Sequence, residues 1–439
     1  MRISIRNATK VITLVFLLLF AVEPSSAGET AGNKESDPPV APGSDERRSK
    51  SGYESVGDFG GPTSVRGELE EEDRIKEPAF RFPAIDTALQ PWFDTKKDLN
   101  DRLGLQFGVH YTTTFQGASD ALPGADDAAA SGIFRVLGTW TLLNRDGQNK
   151  GTLDFSVDHR HRLGTDIAPS DLGFDAGYLG IPAVLFSDIG WALVDLNWQQ
   201  YLNDGRTGVI IGRYDPNDYF DVLGYGNPWT AFQNLAILFN TSIALPDAML
   251  GIGAGHWLTD QWYGLATIND ANGVVSDIDF FEGGAEFYSS AEVGWALSRQ
   301  DRYTHNVHLT GWHADERDDA GVPESWGFTT GMNWTFDDTW MPFFRAGWSD
   351  GEAPLMNQTA TLGLLHYRAN RSDLIGFAMN WGNPSDDALD DQYTGELFYR
   401  LQLSQNLAIT PSVQLLIDPA LNPDEDHIWI GGIRIRLTL

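Results

Sequence analysis

Two histidines and one long loop carry most of the side chains in this sequence that could do chemistry. His159 and His161, in LDFSVDHRHRLG, stand two apart and share a face of any strand, where two imidazoles could hold one metal ion. A place where that strand nears a polar interface explains them as well, and no metal site is expected. The stretch Tyr214 to Met249 combines Asp215, Asn217, Asp218, Asp221, Asn227 and Asn234 with Tyr219, Phe220, Tyr225, Trp229 and Phe232. Rings stack on the C–H faces of a polyhydroxylated solute while amides and carboxylates exchange hydrogen bonds with its hydroxyls. A loop this long is unusual unless it is functional or disordered, and its aromatic content speaks against disorder. No G-x-S-x-G, H-E-x-x-H, P-loop or dinucleotide-binding G-x-G-x-x-G occurs in a suitable setting. No catalytic residue and no cofactor are implied.

The elements that must position these residues are strands. From Leu103 onward no long helical period persists, and stretches of alternating residues recur between turn signals. Sixteen are expected, near 103–116, 132–143, 151–163, 189–201, 207–213, 250–258, 262–270, 285–297, 302–314, 325–336, 341–349, 360–370, 373–382, 392–404, 407–418 and 427–439. Their connections alternate between short (203–206, 259–261, 298–301, 337–339, 405–406) and long (117–131, 164–188, 214–249, 271–284). Segregation of turn length to opposite ends is the signature of an antiparallel up-and-down transmembrane β-barrel. The 214–249 loop is expected to fold into the lumen.

Alternation also assigns the faces. In the closing HIWIGGIRIRLTL, Ile433, Ile435, Leu437 and Leu439 oppose Arg434, Arg436 and Thr438. A lipid-facing Arg costs roughly 2–4 kcal/mol at the bilayer midplane, so the charged face must look into the pore. The inward-facing charges expected on this basis are Arg135, Arg160, Asp195, Arg213, Glu286, Glu292, Arg345, Arg368, Glu396, Arg400, Arg434 and Arg436. Pairing across adjacent strands accounts for most of them more simply than contact with a solute.

Flanking this region, MRISIRNATKVITLVFLLLFAVEPSSAGET has three cations, an apolar run from Val11 to Val22, and small residues ending at Ala27. That pattern is a secretory signal over 1–27, since an uncleaved anchor needs about 17–25 apolar residues. Residues 28–98, with PPVAPGSDERRSKSG and GELEEEDRIKEP, hold too little apolar material for a core and are expected to be mostly disordered, apart from a short helix within 91–104. The barrel is assigned to 99–439. Cysteine is absent, which a barrel closed by its own hydrogen-bond ladder tolerates. The formal charge is −31; without residues 1–27, 27 cations face 60 anions, giving −33. Nucleic acid is not a partner expected of such a surface.

The C-terminal stretch YTGELFYRLQLSQNLAITPSVQLLIDPALNPDEDHIWIGGIRIRLTL resembles the closing strands of the carbohydrate-selective porin (OprB-like) family of Gram-negative outer membranes. The marks are Glu396, Tyr399, Arg400, Ile409-Thr410-Pro411, Gln414, Asp418-Pro419 and a final strand with a basic face. GRYDPNDYFDVLGYGNPWTAFQNLAI (212–237) resembles the family's long early loop, and the similarity extends over about 92–439. In this chain a GDWGG signature has only the echo Gly57-Asp58-Phe59-Gly60-Gly61, some forty residues before LNDRLGLQFGVHY, and the last residue is Leu439 instead of Phe. The resemblance implies passive diffusion of mono- or small oligosaccharides, with outer-membrane lipid and the barrel assembly machinery as partners and a homo-oligomer allowed. The alternatives are a general or cation-favouring porin, a barrel enzyme and a soluble sugar-binding protein.

Overall fold

The computed structural model describes residues 49–439 except 52, 54–58, 225, 245–246, 279, 282–283 and 369–371. The expected leader at 1–27, the first part of the 28–98 segment, Gly57, Asp58 and the Tyr225 ring lie outside the described residues.

Two-residue periodicity produces sixteen strands. They are β1 (Leu105–Ala118), β2 (Ala128–Leu143), β3 (Gly151–Arg162), β4 (Gly190–Leu202), β5 (Thr207–Tyr214), β6 (Met249–Trp257), β7 (Trp262–Asp270), β8 (Phe287–Ala296), β9 (His305–Ala314), β10 (Ser325–Trp334), β11 (Trp340–Asp350), β12 (Met356–Tyr367), β13 (Leu374–Pro384), β14 (Gln392–Gln402), β15 (Leu407–Ile417) and β16 (His427–Thr438). Each pairs antiparallel with the next, and β16 returns to β1 with His110 opposite Thr438 and Ala118 opposite Ile430. Closure leaves no strand edge unpaired. The long connections, including 163–189 and 215–248, all lie at one end, and 203–206, 258–261 and 403–406 are among the short turns at the other.

The alternation sorts by burial as the sequence implies. On β16, Ile433, Ile435 and Leu437 are exposed, whereas Arg434, Arg436 and Thr438 are buried. The same holds on β3, where Asp154, Ser156, Asp158 and Arg160 are buried. A polar face can be buried this way only if something satisfies it.

Among the described residues four α-helices accompany the strands: α1 (Val65–Asp73) and α2 (Pro83–Leu103) before the first, and α3 (Leu172–Asp175) and α4 (Leu235–Leu238) in the connections. No helix among the described residues is long and apolar enough to cross a membrane. The helix expected within 91–104 is the second half of the longer α2, which ends where Gly104 takes a left-handed φ of 72° and the chain turns into β1. GELEEED, too poor in apolar residues for a core of its own, is nevertheless helical as α1. Ser64 caps it, its side chain accepting from the Gly67 N–H.

Large rings tuck over glycines on the neighbouring strand. Phe343 lies directly opposite Gly363, and Phe398 opposite Gly376. A Cβ at either glycine would overlap the ring. Gly395 has nothing nearer than 3.9 Å to such an atom. Gly376→Val should therefore destabilise the barrel by about 1–3 kcal/mol, lowering the temperature at which the folded form is lost in heat-modifiability electrophoresis, while Gly395→Val leaves it unchanged.

Candidate functional site

Helix α1 presents its carboxylates to the buried faces of strands from both sides of the β1–β16 seam. Glu68 accepts from Arg135 on β2 at 2.6 Å, and Glu72 accepts from Arg436 on β16 at 2.8 Å. Glu71 stands 3.5 Å from Arg400 on β14 and 3.5 Å from Lys76. Arg66 reaches Asp154 on β3 at 3.3 Å and stacks over the Tyr201 ring. Apolar contact is small by comparison, with Val65 and Leu69 against Leu137. Burial alone would raise the Glu68 carboxyl, but the Arg135 guanidinium together with His110 and Arg436 outweighs it and holds the group below the usual carboxylate range. Lys76 is lowered to about 8 by burial, against the pull of Glu71.

The 215–248 segment makes the same kind of contact over a wider arc. Gln233 and Asn234 donate their N–H groups to Glu396 on β14 at 2.9 and 3.0 Å, and the Asn234 amide donates to Gln414 on β15 at 2.8 Å. Arg434 on β16 donates to the Ala231 carbonyl at 2.8 Å, and Arg345 on β11 to the Leu238 carbonyl at 2.6 Å. The 163–189 connection joins in, its Pro182 carbonyl accepting from Gln414 at 2.7 Å. The segment also meets the N-terminal one: Gly61 N–H donates to the Asp218 carbonyl at 2.6 Å, and Trp229 Nε1 donates to Glu68 at 2.8 Å.

Asp221 is the electrostatic centre of this segment. Its carboxylate takes hydrogen bonds from Arg345, from His308 on β9 at 3.0 Å and from Thr329 on β10 at 3.1 Å, while its own N–H donates to Glu292 on β8 at 2.7 Å. Burial would raise it, yet the Arg345 guanidinium and His308 hold it down at about 2. Asp215 and Asp218 behave oppositely: burial and the neighbouring Asp247 charge push Asp215 up to about 7, and burial with Asp215 beside it pushes Asp218 well above the usual range.

The side chains singled out in the sequence fall into distinct settings. Arg135 is bidentate to its cross-strand partner Asp158 at 2.6 and 2.9 Å, and Arg160 shares that carboxylate at 2.9 Å. Asp195 accepts from Ser156 at 2.5 Å. Arg213 donates to the carbonyls of Leu193 and Val274, both at 2.6 Å. Glu292 also receives Tyr263 at 3.0 Å and Thr310 at 2.8 Å. Asp215 caps a 3₁₀ turn, accepting from the Asn217 N–H and side-chain amide, both at 2.9 Å. The rings are committed to packing. Trp229 lies under Arg135 and against His110 and Phe186. Phe232 is edge-on to Phe343 and Phe398, and Phe220 sits in a cluster with Phe59, Tyr214 and Tyr263. Two expected inward charges lie elsewhere. Arg368 is exposed just beyond the end of β12, where alternation no longer assigns a face, and Glu286 is half-buried just before β8, bonded to Asn272. His159 and His161 do lie together, with 3.3 Å between their Nδ1 atoms.

The sequence reading passed over Glu68, Glu71 and Glu72. Their signal was available as charge complementarity: an acidic helix-compatible run in a chain whose strands bury arginines.

Titration should loosen the 215–221 turn from both directions. Asp221 has a depressed value in the fold, so its contribution is complete above about 3.9, the free-carboxylate value, and is lost as pH falls through about 2. Asp215 has a raised value, so its protonated form favours the fold and that contribution declines as pH rises from about 4 through about 7. Hydrogen exchange over 215–224, corrected for intrinsic rates, should show greatest protection at about pH 4 and decline from there toward about pH 7. Asp215→Asn should lessen the decline on the alkaline side, and Asp215→Asn with Asp218→Asn should remove it.

Residues 318–439, which span β10 to β16, match the model described as carbohydrate-selective porin, OprB family. The high-pH structure of Pseudomonas putida OprB superposes with a TM-score of 0.62 at 16% identity, covering 79% of this chain and 97% of that one. The low-pH structure of the same protein gives 0.48 at 13% identity over 79% and 96%. A triple mutant of the Rhodopseudomonas blastica porin gives 0.47 at 12% identity over 76% and 100%. No curated protein matches the chain. The whole barrel has the porin fold, and its closing strands resemble in sequence those of the carbohydrate-selective porins of the OprB family.

Proposed function

We propose that this chain is an outer-membrane porin through which carbohydrates diffuse passively, with the 215–248 loop and the α1 segment lying in the lumen and narrowing it. The observation that carries the reading is the match of residues 318–439 to the carbohydrate-selective porin model, in a chain whose sixteen strands close with apolar faces out and polar faces in. Such a barrel is wide enough to leave a channel unless something enters it. Export by residues 1–27, insertion by the barrel assembly machinery and a lipid-facing exterior belong to the same reading.

The interior charge pattern favours neutral solutes. Arg135, Arg345 and Arg436 are each matched by a carboxylate from β3, α1 or the loop. A wall of paired charges offers hydroxyl groups many exchangeable donors and acceptors while committing to no ion. Contacts of this kind are weak, as release from a pore requires. Phe232 and Phe220 are engaged in packing, so the polar groups proposed for solute contact are those of Lys76, Arg400, Gln402, Asn406 and Arg436, which meet beside one edge of Trp229.

Single-channel conductance in a planar bilayer tests this. Graded glucose or maltose should block the current in a concentration-dependent way, a neutral non-sugar of similar size should not, and Arg400→Ala should weaken the block. Channels that no sugar blocks, with cations strongly preferred, would replace the reading by a cation-favouring porin. Removal of residues 28–76 should raise conductance, since water would then fill the space of α1 and solvate the arginines it pairs.

A further inference from the structure

We propose that Glu68 and Glu72 of α1 and His110 of β1 form a binding site for one divalent transition-metal ion of the zinc type. Three donor atoms converge there, all within 4.8 Å of one another, on residues no more than 2% exposed. Each carboxylate uses one oxygen elsewhere: Glu68 Oε1 takes Arg135 and Trp229, and Glu72 Oε1 takes Arg436. The other oxygens, Glu68 Oε2 and Glu72 Oε2, are buried without a hydrogen-bond partner, and so is His110 Nε2. Glu68 Oε2 and His110 Nε2 stand 3.7 Å apart, too long for a hydrogen bond. That separation is close to the edge of a tetrahedron of ligands about 2.0–2.2 Å from a zinc ion.

Local structure explains why these atoms meet. Glu68 and Glu72 are four apart on α1 and project from the same helix face. Glu72 Oε2 lies over Gly108, where a Cβ would collide with it. His110 sits two residues on, on the same buried face of β1, and its Nδ1 is 3.2 Å from Thr112 Oγ1. Occupation of Nδ1 by a fixed partner directs Nε2 toward the carboxylates, as the outer partner of a metal-bound imidazole does. One imidazole nitrogen with two carboxylate oxygens suits zinc or cobalt better than calcium or magnesium, which take all-oxygen shells. The flanking guanidiniums orient the carboxylates and also reduce the net negative charge, so the expected site is one of moderate affinity.

Elemental analysis of the detergent-purified full-length protein, stripped with a chelator, reloaded with Zn²⁺ and desalted, should find one ion per chain that is absent from His110→Ala and from Glu72→Gln. Glu72→Gln keeps its shape and its partner Arg436, and heat-modifiability confirms that each variant is folded. Co²⁺ should give visible d–d bands that these variants lack, and Thr112→Val should weaken binding about tenfold. His159→Gln should retain the ion. Failure of the folded wild type to take up Zn²⁺, or uptake unchanged by His110→Ala and Glu72→Gln, would overturn the site and leave a bridging water as the link between the three atoms. Metal uptake does not depend on what the pore conducts, so either conclusion can fail alone.

Discussion

A guanidinium that points into a closed barrel must find an acceptor there. Alternation places Arg135, Arg345, Arg400, Arg434 and Arg436 on the buried face, and the strands alone supply too few carboxylates beside them. Arg135 has Asp158 across the ladder, but Arg345 depends on Asp221, Arg436 on Glu72, and Arg434 on the Pro228 and Ala231 carbonyls. Breaking one side of a buried pair costs about 3–5 kcal/mol because the other charge is left stranded. The segments that come to these side chains are therefore held chiefly by the wall's need for counter-charge, with water as the only other candidate to meet it.

That dependence runs in both directions. GELEEED cannot fold by burying apolar surface, and its helix persists because Glu68, Glu71 and Glu72 each meet a cation on the wall. The 215–248 loop adds an apolar anchor, with Phe232 between Phe343 and Phe398 and α4 against β13. The glycines opposite those two rings make room for them, so small residues on the wall and large ones on the loop form a single packing unit. Polar satisfaction sets which parts of the wall the loop touches. The apolar unit sets how tightly it sits.

The strands were legible because their signal is local: a period of two, a turn, and the period again. All sixteen expected stretches correspond to observed strands, and the faces of β3 and β16 follow from composition alone. Arg368 shows where alternation stops being informative, since periodicity continued past Tyr367 still assigns a face to a residue that has left the ladder. Helix α1 was illegible for the opposite reason. Its partners His110, Arg135, Arg400 and Arg436 are far away in sequence, and a helix stabilised by them carries no apolar stripe to announce itself. Trp229 falls between these cases. Its residue type pointed to a role inside the barrel, but the groups that engage its ring, Arg135 and His110, could be known only from the fold.

The net charge of −31 says little about what a solute meets inside. Many of the acidic groups decorate connections at the barrel ends, such as Asp318, Asp319, Asp386 and Asp387, where water screens them within about 10 Å at moderate salt. Within the wall most formal charges are already joined in pairs, and a paired guanidinium and carboxylate attract an ion weakly while each keeps lone pairs or protons that a hydroxyl can share. On the permeation reading, exterior acidity governs which solutes approach and interior pairing governs which ones pass. On the same reading, such a pore would discriminate by the shape left between α1, the loop and strands β14–β16. A change that strands one of the paired charges would then turn the path proposed for neutral solutes into one with a preferred ion.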